Sequence, residues 1–61
     1  MKRKELIKII EGVGCVLLRR GAKHDIYHNP VTGATQPVPR HQEINDYLAR
    51  KVIRDLSGQG Q

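Results

Sequence analysis

In Cys15-Val16-Leu17-Leu18-Arg19-Arg20-Gly21-Ala22-Lys23-His24-Asp25-Ile26-Tyr27-His28, two short strand-forming runs flank a polar break. Cys15 to Arg20 is an apolar run that passes into two arginines. His24 to His28 sets Ile26 among polar residues, with Asp25 and Tyr27 alternating with it. Arg20-Gly21-Ala22-Lys23 between them is the turn, and Gly21 permits a tight bend and close backbone approach. Asn29-Pro30-Val31-Thr32-Gly33 then carries strong turn signals. Ala34 to Pro39 reads as a third strand despite Pro37 and Pro39, because residues two apart aim their N–H groups the same way. Both lost donors then fall on one side, which fits an edge strand and blunts that edge.

Helical periodicity lies on either side of the strands. Leu6, Ile9, Ile10 and Val13 fall at i, i+3, i+4 and i+7, one apolar stripe that Gly12 and Gly14 end. Ala49, Val52, Ile53 and Leu56 repeat the spacing with Leu48 beside them. Asn45 suits the N-cap of this second helix, Asp46 its first turn, and Gly58 its close. The expected order is α-β-β-β-α: a three-stranded antiparallel sheet, both helices on one face, the other face open. Residues 1–57 form one α+β domain, and 58–61 read as a flexible tail.

The whole chain has 61 residues, 38% of them hydrophobic, with two Tyr and no Phe or Trp. The core is therefore aliphatic, and a cofactor-binding domain joined to a substrate domain is excluded by size. Eleven Lys and Arg against six Asp and Glu give a net charge of +5. On so small a body this favours nucleic acid, an anionic surface or an acidic protein as partner. The lone Cys15 has no internal disulfide partner, and no Cys/His spacing matches a zinc site. No run reaches the length of a signal core or a membrane span, so the expected location is the cytoplasm, with no membrane partner.

This order, length and charge resemble the double-stranded-RNA-binding-domain fold. More closely, the chain resembles the HicA toxins of bacterial and archaeal toxin–antitoxin pairs. The likeness runs through Gly14 to Gly21, through Gly21-Ala22-Lys23-His24-Asp25-Ile26-Tyr27, through Val38-Pro39-Arg40-His41-Gln42-Glu43-Ile44 and into Leu48-Ala49-Arg50-Lys51-Val52-Ile53. The commoner family pattern before the second strand is Gly-Ser-His. Here it is Gly21-Ala22-Lys23-His24, one residue longer and without the serine. The resemblance implies an mRNA interferase, an endoribonuclease that arrests translation until a HicB-like antitoxin masks it. It maps the catalytic histidine onto His24.

The residues permit that chemistry. Cutting RNA without a metal requires removal of the 2′-hydroxyl proton, positive groups beside the phosphate oxygens, and a proton for the leaving 5′-oxygen. A free imidazole titrates near about 6.5, which suits proton transfer. Lys and Arg suit charge stabilisation. His24 is the candidate catalytic residue, and Arg19, Arg20, Lys23 and Arg40 are the candidate RNA-binding residues. The carboxylates are scattered, so no metal and no other cofactor is expected. His28 shares a face with His24 and either supplies a second proton or is solvated. Asp25 points away from His24 by strand alternation. Lys2, Arg3 and Lys4 read as a solvated first turn. Tyr27 either stacks on a base or fills the core, and Tyr47 is the other ring available for stacking. A non-catalytic RNA-binding module is the alternative reading, and a basic protein that docks an acidic partner is a third.

Overall fold

The computed structural model describes residues 1–58, so the tail expectation lies outside the described residues from position 59 onward. The order is α1 (Arg3–Gly12), β1 (Val16–Arg20), β2 (His24–His28), β3 (Thr35–Pro39) and α2 (Asp46–Ser57). The strands form one antiparallel sheet in the order β1-β2-β3. This is the α-β-β-β-α order that the sequence pattern predicts, an α+β arrangement consistent with the double-stranded-RNA-binding type that the chain resembles.

The register assigns the faces, because directly opposed residues share a side. Leu17, Tyr27 and Gln36 align on one face, as do Arg20, Asp25 and Val38. Tyr27 and Val38 are buried there under the helices. Val16, His28 and Thr35 align on the other face, followed by Arg19, Ile26 and Pro37, then His24 and Pro39. This second face is open. A bulge between Leu17 and Arg19 leaves Leu18 without a partner on β2.

The core joins Leu6 and Ile10 of α1, Cys15, Tyr27, Val38 and Ile44, and Ala49, Val52 and Leu56 of α2. α2 packs on β3, and α1 packs on α2. The layer is thus displaced toward β3, and all five β1 residues stay exposed. The apolar stripe of α1 divides for the same reason: Leu6 and Ile10 are buried, while Ile9 and Val13 are exposed.

Polar groups fix the element ends. Asn45 Oδ1 accepts from the backbone of Tyr47 at 2.8 Å and of Leu48 at 3.4 Å, capping α2 as its identity predicts. Gly58 closes the helix at φ 77°, a left-handed conformation. The buried Asn29 donates to Leu56 O at 2.7 Å and accepts from Val31 N at 2.9 Å, tying the β2–β3 turn to the end of α2. The start of α1 is bound to the approach of α2. Arg3 N donates to Gln42 O, Ile44 N donates to Met1 O, and Lys2 bridges to Glu43.

Candidate functional site

The β1–β2 turn sits where Gly21 N donates to His24 O at 2.8 Å. A Cβ at position 21 would lie 2.6 Å from that same oxygen, closer than real contacts allow. Glycine is therefore required by the approach of the two chain segments. The turn delivers His24 as the first residue of β2, exposed, opposite Pro39 on the open face. Arg19 is opposite Ile26 on the same face, diagonal to His24. Lys23 is exposed in the turn directly before the histidine. His24, Arg19 and Lys23 thus gather at one end of the sheet.

Arg20 and Arg40 have different placements. Arg20 pairs in register with Asp25 on the helix-facing side. Arg40 holds Asp25 Oδ1 through Nη2 at 2.8 Å and Nε at 2.9 Å, and Nη2 also donates to Gly21 O at 2.6 Å. Arg3 Nη2 takes the other carboxylate oxygen at 2.8 Å, and Arg3 Nε donates to Pro39 O at 2.8 Å. One carboxylate therefore links α1, the turn, β2 and the end of β3. The hydrogen bond from Arg40 is the main cause that holds the Asp25 carboxyl below its ordinary range. The charges of Arg40, Arg3 and Arg20 add to it, against the opposing effect of burial.

These bonds describe a scaffold behind His24. Arg40 fixes the carbonyl of the turn glycine, and Arg3 fixes the carbonyl of the residue opposite the histidine. Arg3 is the participant that sequence reasoning assigned to a solvated first turn. Its signal was present only as a basic start. Nothing local distinguishes a cation that reaches across to a strand from one in water. Five cationic side chains (Arg3, Arg19, Arg20, Lys23 and Arg40) share this end with the Asp25 carboxylate, so it stays strongly positive. A shallow depression lined by Lys2, Arg3, Lys4, Arg40, Gln42 and Glu43 extends the basic surface on the helix side.

The remaining candidates separate. His28 lies four residues along β2 from His24, about 13 Å by strand rise, and its Nδ1 meets Thr35 Oγ1 at 3.3 Å. Tyr27 is buried in the core, whereas Tyr47 is exposed on α2, which lies on the sheet's other side. Burial pushes the Cys15 thiol up, and its Sγ lies 3.9 Å from Leu56 O.

An α-β-β-β-α domain with one bare sheet face, and an exposed histidine at its basic end, is consistent with the double-stranded-RNA-binding architecture. The family model described as the HicA toxin of bacterial toxin–antitoxin systems matches residues 3–57. The chain belongs to that family, which gives it the role of a toxin and implies an antitoxin as partner. No curated protein and no solved structure gave a significant match. No helix among the described residues is long and apolar enough to cross a membrane.

Proposed function

We propose that this toxin is a metal-independent endoribonuclease that cuts mRNA and thereby arrests translation. The observation that carries the reading is His24, exposed on the open face, with Arg19 and Lys23 beside it. His24 takes the proton from a 2′-hydroxyl as that oxygen attacks phosphorus. The new bond is P–O2′, the bond to O5′ breaks, and the departing oxygen takes its proton from solvent. Arg19 and Lys23 stabilise the charge on the non-bridging oxygens. Arg20, in register with Asp25, and Arg40, bound to it, add positive field from the helix-facing side and guide RNA toward the turn.

The carboxylates favour this route over a metal-bound one. Asp25 is held by two arginines, Asp46 by the Met1 amino group, and Asp55 by Lys51. The partner in this reading is a HicB-like antitoxin, acting in the cytoplasm, whose acidic side chains cover His24. Residues 1–57 form the single functional domain.

Purified protein incubated with end-labelled RNA tests the reading. Cutting persists in EDTA and leaves a 2′,3′-cyclic phosphate and a free 5′-hydroxyl. His24→Ala, whose circular dichroism matches the parent, lowers the rate by about 10² to 10⁴. RNA that is bound but never shortened converts the reading to a binding module. A 5′-phosphate product overturns the histidine route.

A further inference from the structure

The two edges of the sheet are guarded differently. β3 carries Pro37 and Pro39, which remove two N–H donors on one side of the strand and deny it to any added strand. β1 has no proline, and among the described residues it pairs only with β2. Its apolar residues are open to solvent: Val16 is 51% exposed, Leu17 40% and Leu18 54%. Among the described residues, three of the seven exposed large apolar side chains, Val16, Leu17 and Leu18, are consecutive on this one strand. Exposed apolar surface concentrated in this way marks an interaction site. β1 then ends in Arg19 and Arg20, and no carboxylate occurs from Val16 to Lys23.

We infer that β1 is a docking edge for an extended segment of a partner protein. The segment is acidic where it passes Arg19 and Arg20 and β-branched where it passes Leu18, Leu17 and Val16. Backbone bonding along the free edge supplies affinity, and alternate side chains supply selectivity. Proline would close this edge to everything, whereas arginine closes it only to other cations. A second copy is disfavoured on that ground. Antiparallel pairing of β1 with itself would bring two arginines from each chain into one seam without a carboxylate, between bodies of net charge +5. The bulge at Leu18 breaks the β2 ladder and twists the strand, so the segment adds to a curved edge. The inference does not depend on RNA cleavage and stands if the chain cuts nothing.

The test uses the full chain and the blocked peptide Thr-Glu-Glu-Ile-Val-Val-Thr, which runs antiparallel to β1. NMR should show slowed amide exchange within Val16–Arg20 and none gained at Thr35–Pro39. The peptide Thr-Lys-Lys-Ile-Val-Val-Thr should bind at least about tenfold more weakly, since two cross-strand attractions become repulsions. Arg19→Glu should narrow that gap or reverse it. Lack of protection at millimolar acidic peptide overturns the inference, as does equal binding of the two peptides. Sedimentation of the free chain as a dimer with β1 amides already protected overturns it in favour of a second copy.

Discussion

Asp25 is bound at both carboxylate oxygens by arginines, one before it in the chain on α1 and one after it just beyond β3. Its folded carboxyl is held below the ordinary value of about 3.9, with the Arg40 hydrogen bond as first cause. A depressed acid stabilises the fold fully above its unfolded value, and that contribution is lost as pH falls through the lower folded value. Asp46 is lowered in the same sense by its hydrogen bond to the Met1 amino group, so acid weakens two sites in the parent protein. Asp25→Asn should therefore melt below the parent at neutral pH, and lose less melting temperature between pH 5 and pH 2. Circular dichroism melts across that range check this, and parallel curves would remove Asp25 from the account. Strand alternation in the sequence already turns Asp25 away from His24. The identity of its partners was not legible, because Arg3 lies 22 positions away and Arg40 lies 15. Those contacts exist only once the sheet and α1 are assembled.

The elements themselves were legible because each rests on a local rule. Periodicity marked both helices, the glycine turn separated β1 from β2, and the paired prolines marked an edge strand. Asn45 was legible in the same way, since its side chain satisfies N–H groups only two and three residues ahead. Asn45→Ala should remove about 1 kcal/mol, a fall of about 4–8 °C in the melting temperature of a domain this small. Asn45→Asp should retain most of the stability, and equal melting of all three proteins would show that the cap is idle. What local rules could not give was the lateral offset of the helices. Val16, Leu17 and Leu18 are an apolar run in the sequence, yet α2 sits over β3 and leaves β1 uncovered. Sequence pattern sets which side of a strand is apolar, but helix packing sets which strands are covered.

At the scale of the molecule, a radius of gyration of 10.4 Å matches the roughly 10.5 Å expected of a compact chain of this length. The net charge of +5 sits on a body whose longest extent is 27 Å, so salt screening leaves the groups nearest a phosphate to carry most of the attraction. RNA affinity should fall steeply with salt, and Arg19→Glu or Lys23→Glu should flatten that slope by about one unit. Arg54→Glu should change it less, since α2 lies behind the sheet and Arg54 already has Asp55 at 3.8 Å. Fluorescence anisotropy over a salt series measures this. Affinity that does not vary with salt would mean that phosphate contact is not what the positive field serves.

The short pairing of Lys2 with Glu43 also sets a timetable. During synthesis α1 is made before the strands, yet it cannot complete its docking until Gln42, Ile44 and the whole of α2 have been translated. Three short strands alone are a poor independent unit until a helix covers their apolar side. The growing chain thus displays His24 well before it can hold it still. A nuclease centred on that residue, as proposed, would be harmless to the ribosome making it until α2 has emerged and closed the fold.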